Sequence, residues 1–388
     1  MKWRAGFILL GLLMVTVAIA CRWDRDTLAE EAKGSNLDVL KVIVGRFERN
    51  PPLYYQMRLE RVAKELESNS GNLDLYNDAA VACDHLGKFS EAIEWMAKQE
   101  RVMAKGRVSS DAMYRFHANL GTFYAHRWFA KKADRDKLHD LDKGIEHIKR
   151  AIEINPEAHF GRERIQLAIM QWVREGGSGD PVGTPLGDYL VEKGLMDWNK
   201  AEDAVEGLAG LIRLGNAWEN VDVFASLADA LAHENLGTIG EAALARVFEL
   251  QKAGKSSITG WRLKMDAFIE GRPMGIERTQ AHEEFTRLRE EANEWHDSRT
   301  EFMLAKLKQG KHPDTDSDFW AGYKTTNPEV QGVAFWKRQG FQISALITGI
   351  LIAIGATGFF VIRAIYRAFR PKKKATFNID IPPPDIQK

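Results

Sequence analysis

LDLYNDAAVACDHLGKFSEAIEWMAKQERVM, residues 73–103, is the stretch on which the fold turns. It reads as two helices around a turn at Gly87. Counted from Leu73, Tyr76 stands fourth, Ala80 eighth and Ala92 twentieth. Small residues at eight and twenty let two antiparallel helices approach closely, while large side chains near four and eleven fill the gap to the next pair. Outward from this hairpin the reading stays helical. Leu37, Leu40, Ile43 and Phe47 recur at three and four, Pro51-Pro52 stops that helix, and Leu53 to Leu66 begins another with Leu59, Val62, Ala63 and Leu66 inward. No run of alternating β-branched residues is bounded by a two-residue Gly turn, so the predicted fold class is all-α.

Two further stretches share the pattern. One starts at Tyr114, with Asn119-Leu120-Gly121 and Tyr124 in its first helix and Ala151 to Pro156 closing its second. It carries an extra polar segment, FAKKADRDKLHD, read as a lengthened turn. The other starts at Val221, where Phe224, Leu227, Ala228 and Leu231 fit a first helix and about Gly240 to Lys252 a second. These units, 73–104, 114–157 and 221–253, resemble tetratricopeptide repeats, which implies a solenoid of stacked helical hairpins. Leu208 to Leu214 and Trp261 to Ile269 read as further helices of the same stack. The Gly/Pro-rich run 176–185 divides the expected solenoid into lobes at 22–175 and 186–270. Thr279 to Gln309 reads as one long helix, with Ala281, Phe285, Leu288, Ala292, Trp295 and Phe302 on a seam that Arg299 and Lys306 interrupt. It is expected to cap the stack, a coiled-coil stalk being the alternative. Residues 310–340 lack periodicity and read as a linker.

Both ends carry apolar segments. Lys2 and Arg4 precede a charge-free run from Ala5 to Ile19, and Ala18-Ile19-Ala20 is followed by Cys21. Segment 1–21 resembles a bacterial lipoprotein signal, which makes Cys21 a lipidation candidate, although Ala18 stands where that signal has Leu. Plain cleavage after Ala20 and an uncleaved anchor are the alternatives. Phe341 to Ile362 has no charge over 22 residues, long enough at 1.5 Å per residue to cross a bilayer. Ala345, Gly349, Ala353 and Thr357 form a small-residue ridge of the kind on which membrane helices pack. The tail 363–388 is basic and then proline-containing. Basic residues crowd the C-terminal side of the apolar run, which predicts a single membrane span with the body outside the cytosol and the tail inside. Membrane lipid is therefore an expected partner.

The 54 Lys and Arg balance 54 Asp and Glu, but the tail after Ile362 carries +5 and the first four residues +2, leaving −7 on the remainder. A mildly acidic body argues against nucleic acid, whose phosphates need clustered cations. Charged residues make up 28% and hydrophobic residues 45%, which excludes a disordered chain, a collagen and a polytopic membrane protein. With only Cys21 and Cys83 there is no disulfide framework or zinc ribbon, and Cys83 falls on a core-facing position.

Candidate chemistry is thin. His117, His126, His139, His147 and His159 crowd together, but His117 and His126, nine apart, lie near opposite faces of a helix. His282-Glu283 opens like a zinc-protease motif and then has Thr286 where the second His belongs. No catalytic residue, metal or cofactor is therefore predicted. His85, His126 and His233 each stand thirteenth in their units, a place that in tetratricopeptide proteins resembles one facing the concave groove. Neighbouring groove positions hold Asp74, Asn77, Asp84, Arg115, Thr122, Asp222 and Asp229. The resemblance implies a polar, acidic, pH-sensitive peptide groove, and the alternative is a solvated face with no ligand. The expected function is a membrane-anchored envelope scaffold binding other proteins. An enzyme with a site of scattered histidines and acids, and a transmembrane signal-coupling subunit, are the rivals.

Overall fold

The structure is a computed structural model describing residues 38–156, 162–177, 184–197, 201–234, 236–262 and 276–325. All of these fall within one compact unit, Met1–Gly332. The helices, in order, are α1 Val39–Val44, α2 Pro52–Ser68, α3 Leu73–His85, α4 Phe89–Met103, α5 Ser110–Ala130, α6 His139–Ile154 and α7 Arg162–Glu175, followed by α8 Pro185–Glu192, α9 Ala201–Leu214, α10 Val221–His233, α11 Gly237–Lys252 and α12 Ile276–Leu307. A 3₁₀ turn, Ala217–Glu219, joins α9 to α10.

Local chemistry sets the helix starts. Asn72, Ser109, Thr184 and Asn220 each accept a hydrogen bond from a backbone N–H of the first turn they precede, replacing a bond that no upstream carbonyl supplies. Pro52 sits at the start of α2, where its missing N–H costs nothing. Gly45 ends α1 in the left-handed region at φ 83°, and its N–H reaches the carbonyls of Lys41 and Val42. A side chain there would also collide with the Trp218 ring, 2.5 Å from a notional Cβ, so glycine is required twice over.

Consecutive helices pack as hairpins: α2 on α3, α3 on α4, α5 on α6, α10 on α11. The small-residue rule explains their closeness. Ala80 and Ala92 are fully buried between α3 and α4. Between α5 and α6 the same places hold Gly121 and Gly144, and a Cβ on either would lie 2.9 Å from the other's carbonyl oxygen. In the last hairpin Gly240 lies against the Ala228 carbonyl. One apolar cluster unites α3, α4 and α5 through Val81, Cys83, Met96, Phe116, Leu120 and Phe123. Burial pushes the Cys83 thiol up to about 12, which makes it an inert core group. The extra segment after α5 is only partly a turn: α5 continues to Ala130, and the Trp128 indole then donates to the Asp134 carbonyl.

α12 does more than cap one end. Its 32 residues span about 48 Å and pack on α11, on α1 and on α2. α1 in turn packs on α9 and α11. Among the described residues the stack is thus closed, α12 lying against α1 and α2. Ala281, Phe285, Leu288 and Ala292 are buried as the seam predicts. Further along, the buried positions are Arg299, Met303 and Leu307, while Phe302 stays half-buried. Arg299 is tolerated because Glu48 and Asn50 accept from its guanidinium and Trp320 lies beneath it.

The segment read as a linker is, over 310–325, part of the fold. His312 and Phe319 are buried, and Phe319 packs with Tyr54, Tyr55, Met303 and Leu307. Asp314 receives a bidentate pair from the buried Arg58, and Arg61 adds a third donor. The carboxylate offsets charges that burial alone would not permit.

Among the described residues no helix is long and apolar enough to cross a membrane. The expected architecture with one C-terminal transmembrane helix, and the cell-membrane location with an extracytoplasmic body built on it, are corrected accordingly. The longest helices, α5 and α12, carry Asp111, Arg115 and Arg127, and Glu283, Arg287, Glu290 and Glu291, which hydrocarbon would not solvate. Segment 1–21 with Cys21, the run 341–362 with Ala345, Gly349, Ala353 and Thr357, and the tail 363–388 lie outside the described residues, as does most of the helix expected at Trp261 to Ile269.

Candidate functional site

The first helices of three successive hairpins, α3, α5 and α7, carry polar side chains that meet one another. Asn119 donates through its amide nitrogen to Asn77 Oδ1 at 3.1 Å. His126 Nδ1 lies 2.6 Å from Asp84 Oδ1. Gln166 donates to Thr122 Oγ1 at 3.1 Å, and the Tyr114 hydroxyl donates to Glu163 Oε1 at 2.6 Å. At the open end of the row Arg115 pairs with Asp74 at 3.0 Å and with Asp111 at 2.7 Å. The cross-links fall between residues 42 to 44 apart for the three inner pairs, because adjacent hairpins place equivalent positions side by side.

The sequence-predicted groove residues therefore divide. Asn77, Asp84, Thr122 and His126 are interior and paired, where both the peptide-groove reading and the solvated-face alternative expected them on an open face. Asp74 is 62% exposed, Arg115 is half-buried, and His85 stacks on Tyr55 with ring centroids 3.9 Å apart. The residues of the third unit do not join the row. Asp222, in the first turn of α10, accepts from the Ile258 N–H at 3.0 Å, and burial pushes its carboxyl up to about 6. Asp229 accepts from the Thr184 hydroxyl at 2.6 Å, and burial raises its pKa as well. His233 ends α10 half-buried.

The Asp84–His126 pair has the sharpest chemistry. A carboxylate at Nδ1 fixes the tautomer with its proton there, leaving Nε2 as an acceptor. That Nε2 is buried and has no hydrogen-bond partner among the described residues. Phe89 presents its ring to the imidazole at 5.7 Å.

Other pairings were invisible in the sequence. His117 and His147 meet across α5 and α6 with their Nδ1 atoms 2.9 Å apart and rings stacked. Burial, then its proximity to His117, pushes His147 down to about 4; burial lowers His117 too. Two ring nitrogens this close share one proton, so at least one imidazole is neutral. Among the described residues no group of three or more His, Cys, Asp or Glu is placed to hold a metal ion. At the abortive zinc-protease motif, the Thr286 hydroxyl donates to the His282 carbonyl. Gln166 and Glu163 were missed as well. The available signal was their offset from Thr122 and Tyr114 by about one hairpin. Between α6 and α7 a shallow depression of about 380 Å³ is bridged by Asp142 and Arg174 at 2.5 Å.

No family model matches this chain, and neither a curated protein nor a solved structure matches it. The resemblances to tetratricopeptide repeats and to a lipoprotein signal thus gain no support from these comparisons, and the reading of function rests on the geometry of the α3–α5–α7 row.

Proposed function

We propose that this protein is a helical-hairpin scaffold that recognises an extended segment of another protein at the exposed margin of the α3–α5–α7 row. The observation that carries the reading is the alignment of Asn77–Asn119, Asp84–His126 and Thr122–Gln166 across consecutive hairpins, with Nε2 of His126 unspent inside it. Asp74 and His85 mark the exposed margin at which a segment would enter, with Arg115 half-buried beside Asp74.

The test is site-specific photo-crosslinking in the native cell, with the reactive residue at Arg115 on the margin or at Arg150 on the exposed face of α6. Discrete protein adducts from position 115 and none from 150 are expected. Equal labelling from both, or no adduct from 115, overturns the reading.

The buried Asp84–His126 dyad favours a second reading, in which it serves as the base of an enzyme. That reading requires His126→Gln to abolish a turnover while leaving the crosslinks at 115 unchanged.

A further inference from the structure

Three arginines from three parts of the chain converge on one indole. The guanidinium carbons of Arg246, Arg49 and Arg289 lie 3.9, 4.7 and 5.0 Å from the Trp218 ring. Trp218 is in the 3₁₀ turn, Arg49 follows α1, Arg246 is on α11 and Arg289 on α12. This is the place where the closed stack meets itself.

The carboxylates there are shared or at a distance. Glu249 is in ion-pair contact with two of the arginines, at 2.6 Å to Arg246 and 3.2 Å to Arg289, while Asp297 acts on Arg49 without a contact. The nearby Glu219 is engaged by Lys255 at 2.7 Å. Among the described residues Arg49 makes no ion pair: one Nη donates to the Gly45 carbonyl at 3.2 Å, and its ring contacts are Phe47 and Trp218. Arg246 is 4% exposed, yet its Nε has no hydrogen-bond partner among the described residues. Five N–H donors in a planar fork are suited to oxyanions. Arg246 also donates to the Trp218 carbonyl, and Arg289 to the Val44 carbonyl and Asn293, which leaves the Arg246 Nε and most of the Arg49 fork beside an indole that is half-buried rather than sealed.

Burying unspent guanidinium donors beside one another is costly unless an anion joins them. The field is felt nearby: burial and then the neighbouring Arg49 push the His296 imidazole down to about 4, and burial followed by Arg289 and Arg246 brings Arg49 itself down to about 10. We infer that Arg49, Arg246 and Arg289 around Trp218 form a binding site for a small phosphate-class oxyanion, free phosphate or a small phosphate monoester. An anion held there would tie α1, α11 and α12 together, so its binding would stabilise the closed stack.

The experiment uses the full chain, with inorganic phosphate and glycerol phosphate as separate probes against chloride at matched ionic strength, read by calorimetry and thermal melting. Saturable one-to-one binding and a rise in melting temperature specific to phosphate are expected. Arg49→Gln should weaken binding roughly tenfold or more, the worth of one charge-assisted donor. Arg289→Gln should act in the same direction, and Arg150→Gln, on the exposed face of α6, should change nothing. Binding of phosphate alone assigns the site to the free anion, and tighter binding of the ester assigns it to the monoester. Equal melting in phosphate and chloride, or binding that persists unchanged in Arg49→Gln, overturns the inference.

Discussion

Replacing Asp314 with Asn should unlatch the closure of the stack. Arg58 has no solvent exposure, and Asp314 is 4% exposed. The Arg58 Nε and Nη2 donate to the two carboxylate oxygens at 2.8 and 2.7 Å, and Arg61 adds a bond at 2.6 Å. The Arg58 guanidinium also lies 4.5 Å from the Tyr54 ring and donates to the Tyr54 hydroxyl. Asparagine preserves the shape and one acceptor, but removes the carboxylate charge that faces the buried Arg58 guanidinium. Breaking such a pair costs about 3–5 kcal/mol, and the retained acceptor places this variant near the lower end, at about 3 kcal/mol. In urea, with a slope near 3 kcal/mol per molar, the midpoint should fall by about 1 M. Hydrogen exchange should show protection lost first in α2 and across 311–319. The double replacement Arg58→Met with Asp314→Leu removes both charges and should recover most of the loss. A variant within about 0.5 kcal/mol of wild type, or single effects that simply add in the double variant, would refute the claim that this pair holds the ends together.

Three other outcomes follow from the same coordinates. Gly144→Ala should destabilise by about 1–2 kcal/mol in denaturant melts, since the added methyl meets the Gly121 carbonyl and the Met170 side chain by overpacking that outweighs the gain in helix propensity. Phe319→Ala should cost about 3–5 kcal/mol by the same measurement, as expected of a core residue and not of a linker. Because His147 is held neutral in the folded protein, its contribution is fully present above the unfolded value of 6.5 and lost as pH falls towards about 4. Partial exposure limits that loss to about 1–2 kcal/mol, and His147→Gln should flatten the melting temperature over pH 4–6.5.

Residues 73–103 illustrate how far local reading carries. Ala80 and Ala92 announced a close hairpin because steric fit between neighbouring helices is written in residue size at short separation. The seam of α12 was legible up to Ala292 for the same reason. Beyond it the pattern failed at Arg299, whose burial depends on Glu48 and Asn50 some 250 positions away. The candidate site was legible as a set of positions but not as a set of bonds. The thirteenth-place histidines marked the row, yet nothing in their spacing revealed that His126 would meet Asp84 while His233 would stand apart.

By itself, then, the amino-acid sequence determined the helical class, the hairpin units and the residues whose size lets helices touch, since periodicity and volume act within a turn or two of the chain. The tertiary structure alone decided which charges are neighbours: Arg58 with Asp314, His117 with His147, and three arginines around Trp218. Side-chain electrostatics act over a few ångströms of space with no regard to sequence distance, so those partnerships exist only once the last helix has packed against the first.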